Sequence, residues 1–341
     1  MKPLETVADL EDRHSAPTDG ALETLRALEG DVLVLGAGGK MGPTLARRAR
    51  RACDRLGQRR RVLAVSRFSS AAAAAELRAH GVETIACDLA DRAAVQRLPD
   101  APNVIFMAGQ KFGTSDSPEL TWVLNTLVPA IVAERYAASR LVVFSTGCVY
   151  PLTPVGGPGS REDDPLGPPG EYANSCVGRE RIFTHFARSH GTAALLFRLS
   201  YAIDLRYGVL LDVARKVASG EPVDVTMGFV NVIWQGDANA RALQSLARTA
   251  TPPCALNVTG REKVSIRELA ERFGRLLGRA PAIVGEEAPT AWLFDATRSF
   301  EWFGPVTVSL DELIAATAHW VQCGGPTLGK PTHFETRDGK Y

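Results

Sequence analysis

From Asp31 onward, short apolar runs alternate with longer stretches of helical spacing. The runs are DVLVLGAG (31–38), RVLAVSR (61–67), VETIACDL (82–89), NVIFMAG (103–109) and LVVFSTG (141–147). They are nearly continuous rather than strictly alternating, as strands buried on both faces must be, and the helical stretches between them supply crossovers. The pattern therefore predicts βαβ units and a parallel sheet. Beyond it, the spacing predicts a helix from about Tyr172 to Ser189, a strand in AALLFRLS, a helix around Leu210 to Ser219, and a C-terminal region with LNVTG and two helical stretches. Pro151 to Gly170 holds six prolines and five glycines, which predicts an irregular surface loop and an active-site wall.

The expected organisation is a loose leader over 1–30, a nucleotide-binding domain over 31–190, a mixed region over 191–325 that completes the sheet and forms a smaller substrate lobe, and a tail over 326–341. The leader has an amphipathic turn or two around Leu22, Leu25 and Leu28, read as packing on the domain edge or on a partner subunit. The tail is polar and aperiodic, and its role is open between wrapping a neighbour and covering the site.

Composition narrows the partners. With 39 basic against 38 acidic residues the net charge is +1, which argues against a nucleic-acid or anionic-membrane surface and for a small polar molecule. The six cysteines form no CxxC pair and read as reduced thiols, with no metal site. The N-terminus is acidic and mixed, and no stretch approaches about 18 uninterrupted apolar residues. A cytoplasmic protein is expected.

Candidate chemistry begins in VLVLGAGGKMG. Gly36, Gly39 and Gly42 follow an apolar strand and precede a helix that Pro43 can open. Glycine meets three needs there: a tight turn, close approach of the backbone to a pyrophosphate, and close packing of helix on strand. The helix N-terminus adds free N–H groups and a positive dipole. Gly38, Lys40 and Met41 complete this loop, and the fold class follows as α/β, a Rossmann doubly wound parallel sheet with a smaller C-terminal substrate lobe. The next strand ends in Ser66 and Arg67, where an NAD site usually offers a carboxylate. An arginine there suits the 2′-phosphate of NADP, with NAD as the alternative and a merely solvent-exposed arginine as the plain one. Asp88, followed by Leu89, can accept from an adenine amino group, cap a helix starting near Ala90, or do both. Ala108 and Gly109 end the fourth strand beside the expected nucleotide.

These segments together resemble the extended short-chain dehydrogenase/reductase family, the NAD-dependent epimerase/dehydratase group. The resemblance runs from about Asp31 to Gln322 and also takes in Asn125, LVVFSTGCVYP, EDDPLGPPGEYANS and LNVTG with VSIRELAERF. It implies an NAD(P)-dependent oxidoreductase or epimerase, often a homodimer through a helical interface. In it Thr146 fixes the reacting oxygen, Tyr172 is the acid/base, and the nicotinamide carries hydride. The family's lysine, four residues after that tyrosine, is absent: the stretch is Tyr172-Ala173-Asn174-Ser175-Cys176. A neutral thiol cannot lower a phenol's pKa by charge or donate several hydrogen bonds to a ribose. Another cation substitutes, a less acidic tyrosine suffices, the cofactor is used differently, or the protein only binds. Lys111, in the loop after the fourth strand, is the best substitute, with a solvated loop lysine as the alternative. Cys176 and Cys148 read as packing groups rather than nucleophiles, with Cys176 still facing the cofactor and Cys148 lining a substrate pocket.

The family's grip on a nucleotide diphosphate is missing. Arg198-Leu199-Ser200-Tyr201-Ala202-Ile203-Asp204 stands where such members carry R-x-x-N-V-Y-G, and FVNVIWQG precedes Asp237 without an arginine. A small hydroxylated or keto substrate (sugar, sugar acid or polyol) is expected, touching Lys111, Cys148, Ser200 and Tyr201. The rival expectations are a catalytically impaired dinucleotide-binding sensor or assembly protein, and a non-redox lyase or isomerase on the same fold.

Overall fold

The apolar runs become strands in the computed structural model, which describes residues 4–111, 113, 116–330 and 332–340. Phe112, Thr114 and Ser115 of the Lys111 loop, the first three residues of the leader, and Pro331 and Tyr341 of the tail lie outside these. Seven strands, β1 (Val32–Leu35), β2 (Val62–Ser66), β3 (Glu83–Ala86), β4 (Asn103–Phe106), β5 (Arg140–Thr146), β6 (Ala194–Leu199) and β7 (Cys254–Val258), form one sheet in the order β7-β6-β5-β4-β1-β2-β3. All neighbours pair in parallel. The chain direction reverses across the sheet between β1 and β4, so the loops after those strands open a crevice at their carboxyl ends, where ligands of such sheets bind.

Helices cover both faces, as parallel strands require. On one face lie α1 (Val7–Ser15), α2 (Asp19–Ala27) and α3 (Gly42–Arg55). Next come α4 (Ala71–Ala79), between β2 and β3, and α5 (Arg92–Gln96), between β3 and β4. The opposite face takes α5 together with α6 (Pro118–Trp122), α7 (Val128–Arg135) and the long α8 (Glu171–His190). A second core forms the C-terminal lobe, built by α9 (Val209–Ser219), α11 (Ile266–Leu277) and α13 (Leu310–Gln322), while α10 (Gln235–Gln244) returns to the first face and α12 (Thr297–Phe303) lies beside β7. The fold is α/β, a doubly wound parallel sheet with a smaller lobe.

The N-terminal segment is more ordered than a loose leader. Thr6 and Asp9 form a reciprocal cap on α1, and Thr18 caps α2. Leu10 and Leu25 are fully buried, each contributing about 1.5–3 kcal/mol of burial. The segment 151–170 also departs from expectation. Thr153–Pro154 pairs antiparallel with Thr290–Ala291, and Ser160 bridges Phe294. Proline is tolerated because the pairing is a two-residue edge.

Among the described residues no helix is long and apolar enough to cross a membrane, and no group of three or more His, Cys, Asp and Glu side chains could hold a metal ion.

Candidate active site

The glycine turn sits between β1 and α3. Gly36 has φ +85°, and a Cβ on it would lie 2.5 Å from the Ala108 backbone nitrogen at the end of β4, so two strand ends can meet only if this residue lacks a side chain. A Cβ on Gly39 would meet only the Gly36 carbonyl oxygen, at 3.7 Å, and Gly38 approaches the Ser66 hydroxyl. Helix α3 starts without a side-chain cap, with proline in its first turn, so no side chain takes up its first N–H groups. These features form a cradle for a pyrophosphate. Arg67 is exposed just beyond β2 and is followed by Phe68 at φ +46°. Gly109 packs against Asn125 and the Arg179 guanidinium.

Asp88 does not cap a helix. Its carboxylate accepts from the Ala90 backbone N–H at 3.0 Å in a local turn, and Asp91 is the N-cap of α5, which starts two residues later than expected. The side chain of Leu89 is buried in the core.

Next to the turn is a cleft of about 200 Å³ whose walls include Lys40, Lys111, Thr146, Cys148, Tyr172 and Tyr201. Ser200 also lines it. The structure thus brings together Thr146 from the end of β5, Tyr172 from the first turn of α8 and Lys111 from the loop after β4. None of the residues 151–170 lines this cleft, so that segment is not its wall; Leu166 instead contributes to an open groove along α8.

The Tyr172 phenol stands close enough to Thr146 and to the Cys176 thiol for each to act on it electrostatically. Burial raises the phenol's pKa well above its ordinary range, while the Arg179 charge and the nearby Thr146 hydroxyl pull the other way. Cys176 is completely buried, which pushes its thiol up to about 11; it is a neutral group throughout the physiological range. Lys111 is lowered by burial, partly offset by Cys148, Cys176 and Asp212. Its ammonium therefore stands near the thiols that face Tyr172.

Arg179 is a residue that the sequence reading missed. It lies seven positions after Tyr172, two turns along one face of α8. Its Nη1 donates to the Phe144 carbonyl at 2.8 Å and its Nη2 to Asn125 Oδ1 at 2.5 Å. Asn125 in turn clamps Gln110, accepting from its N–H at 3.0 Å and donating to its carbonyl at 2.9 Å, and donates to Ser175 Oγ at 2.9 Å. The backbone of Val123–Leu127 is a π-helical turn, the kind of local distortion that turns a side chain inward at functional sites. One residue further along α8, Glu180 accepts from Ser145 Oγ at 2.6 Å and pairs with Arg198 at 2.7–3.0 Å, both partners being buried. This fixes α8 against β5 and β6, and with them the Tyr172–Thr146 contact.

Three more features lay beyond sequence reading. The Lys40 side chain turns away from the glycine loop, donates to the Ala202 carbonyl at 2.8 Å and lies 4.3 Å from the Tyr207 ring centroid; burial brings its pKa to about 8. Tyr201 holds φ +40° at the cleft, strain of the kind that persists where surroundings fix the backbone. The tail folds back on its own chain: Thr332 lines the cleft and donates to Asp212 at 2.5 Å, and Gly339 packs backbone to backbone on Gly170, just before α8. The charge of the leader is tied in as well. Burial opposes ionisation of Asp204, but His14 and Arg206 hold its carboxyl far below the usual range, and the His14 ring stacks on Trp234 at 4.0 Å.

Comparison with known proteins agrees with this geometry. Solved structures with the same fold include the UDP-glucose 4-epimerase of Thermus thermophilus in complex with NAD, which is 20% identical, with a TM-score of 0.68 over 84% of this chain and 97% of that one. The dTDP-glucose 4,6-dehydratase DesIV of Streptomyces venezuelae, with NAD and TYD bound, is 17% identical, with a TM-score of 0.72 over 86% and 97%. The UDP-Glc/GlcNAc 4-epimerase of Campylobacter jejuni is 19% identical, with a TM-score of 0.70 over 85% and 98%. No curated protein matches the chain. The family model described as "NAD dependent epimerase/dehydratase family" matches residues 32–232, more than half of the sequence, and the chain belongs to that family.

Proposed function

We propose that this protein is a nicotinamide-dinucleotide-dependent oxidoreductase or epimerase acting on a small hydroxylated or keto substrate, with NADP preferred over NAD. The observation that carries the reading is the pairing of Tyr172 with Thr146 in the wall of a cleft that adjoins the glycine turn. Three features of the turn fit a dinucleotide: the side-chain-free approach at Gly36, the open face of Gly39 and the uncapped start of α3. Solved relatives that hold NAD support the same cofactor class. When bound, the nicotinamide supplies the two-electron exchange with the substrate carbon.

The chain's own residues handle the proton. Thr146 and Tyr172 together receive the reacting oxygen, Thr146 by a hydrogen bond and Tyr172 by giving or taking the proton. Because burial keeps the phenol protonated through neutral pH, Tyr172 is set up to donate to a carbonyl oxygen. Removing a proton from an alcohol is the harder direction, and its rate is expected to climb with pH up to at least about 10, the ordinary phenol value. Arg179 is the cation that acts on the phenol, and Lys111 adds a second positive charge in the wall of the same cleft. Arg67, at the end of a β2 that carries no acid, supports NADP.

The cleft volume of about 200 Å³ supports a compact substrate, being below the roughly 300–1,000 Å³ of sites for drug-sized ligands. A homodimer is part of the proposal, supported by Leu120, Trp122 and Leu127, which expose 45%, 39% and 46% of their surface along one stretch. The six free thiols support a reducing, cytoplasmic setting.

A second reading is favoured by one observation: Cys176 is neutral where the family carries an ammonium. A binding-only dinucleotide sensor would tolerate that. Turnover screens at 340 nm with NADPH and NADH against small sugars, sugar acids and ketones separate the two. Turnover supports the enzyme, and tight dinucleotide binding with no turnover on any compound supports the sensor.

A further inference from the structure

The cleft beside Tyr172 carries a pattern that proton exchange alone does not use. Two ammonium groups, Lys40 and Lys111, reach it from the loops after the adjacent strands β1 and β4, and none of its described lining residues carries a carboxylate. Around the lysines stand hydroxyls from Ser145, Thr146, Ser200, Tyr201, Tyr207 and Thr332.

The acids nearest the lysines are held by other groups. Asp204 takes Arg206 in a two-pronged pair at 3.0 and 2.9 Å, with His14 at 3.3 Å. Asp212 accepts both the backbone N–H and the hydroxyl of Thr332, at 2.9 and 2.5 Å. Lys40 itself donates to a neutral carbonyl. Burial disfavours the charged form of both lysines, and Lys111 adds to that effect on Lys40. An anion entering the cleft relieves both effects, since it offers each ammonium an opposite charge in a weakly solvated place.

We propose that the cleft binds a small polyhydroxylated carboxylate, a sugar acid or its keto form, with the carboxylate held by Lys40 and Lys111 and the hydroxyl or carbonyl to be reacted at Tyr172 and Thr146. This rests on the small-substrate reading above and specifies its chemistry. The hydroxyl-rich wall matches the remaining alcohol groups, each of which can donate and accept. Lys40 joins the two halves of the site: its backbone belongs to the dinucleotide turn, and its side chain belongs to the substrate.

Isothermal titration calorimetry on the full-length chain saturated with its dinucleotide tests this. The ligands are D-gluconate and D-glucuronate against their neutral counterparts D-glucitol and D-glucose, with D-glucose 6-phosphate and UDP-glucose as further arms. At least one acid is expected to bind about tenfold or more tightly than its neutral counterpart, the usual worth of hydrogen bonds to a charged group. Lys111→Gln is expected to remove most of that preference, and Lys40→Gln likewise. Dinucleotide affinity in the Lys111→Gln sample reports whether that variant is folded.

Equal or tighter binding of the neutral sugars overturns the carboxylate proposal and leaves the small-substrate reading standing. Preferred binding of the phosphate does the same, and so does an acid preference that survives both lysine variants. Micromolar binding of UDP-glucose without any of the small ligands overturns both readings. Binding of none of the compounds overturns the carboxylate proposal.

Discussion

The glycine turn and the substrate cleft are neighbours, yet they are specified in opposite ways. The turn is continuous in sequence, from Gly36 to Pro43, and its requirements are backbone requirements: a positive φ at Gly36, an open approach at Gly39, an uncapped helix start. The cleft draws its walls from Lys40, Lys111, Thr146, Tyr172, Tyr201 and Thr332, spread over nearly 300 positions. Its requirements are side-chain requirements, met by whichever segments the fold delivers. A binding motif for a common cofactor can be local because it grips with backbone. A pocket that must recognise one substrate is assembled from distant loops, which vary independently of the scaffold.

The largest expected effect breaks the substrate half alone. Glu180→Ala leaves the buried Arg198 without its ionic partner, and should cost about 3–5 kcal/mol in denaturant unfolding. If the loss is near zero, the Glu180–Arg198 pair does not hold α8 in place. On the nucleotide side, Gly36→Ala forces a Cβ into a left-handed backbone and against the Ala108 nitrogen. A stability loss of about 1–3 kcal/mol is expected, with dinucleotide affinity falling alongside it in a fluorescence titration. A smaller change sharpens the same half: Arg67→Ala should reduce the ratio of NADPH to NADH affinity by about tenfold, the worth of one charge-assisted contact. An unchanged ratio would remove Arg67 from cofactor choice.

The smallest effect probes the residue shared by the two halves. Lys40 titrates at about 8 in the fold, against about 10.4 for an unperturbed lysine, with Lys111, Asp204 and Arg206 as the charged groups acting on it. As pH rises through 8 the ammonium is lost, so affinity for an acidic ligand should fall between pH 7 and 9, and Lys40→Gln should flatten that profile. The linked stability term has the opposite sense: between about pH 8 and 10.4 the unfolded chain binds the extra proton, so the fold gains stability as pH rises.

How much was legible follows the same division. Six of the seven strands, the α8 helix and the turn are legible because periodicity and glycine placement are local signals, whereas LNVTG does not by itself declare the edge strand Cys254–Val258. Thr146 and Tyr172 are legible through resemblance, and the structure brings them into the wall of one cleft. Of the two uses open to Asp88, the helix cap falls away because Asp91, three residues on, carries the same signal and stands at the actual helix start. The leader's order was missed, since its helices are short and held by tertiary contacts: Glu11 to Arg47 and Arg206, and His14 to Asp204. Arg179 was visible in principle through its two-turn offset from Tyr172. Thr332 carried no signal, because nothing in a polar, aperiodic tail says that it returns to the cleft.

The most direct test of the catalytic reading is Tyr172→Phe, with dinucleotide affinity and turnover measured on the same sample against whichever small substrate the wild type accepts. Affinity within about twofold of wild type is expected, together with a fall in turnover of about 10²–10⁴, the usual contribution of a positioned acid or base. Retained turnover would contradict the role of Tyr172, and failure of the wild type to bind either dinucleotide would contradict the reading of the site as a whole.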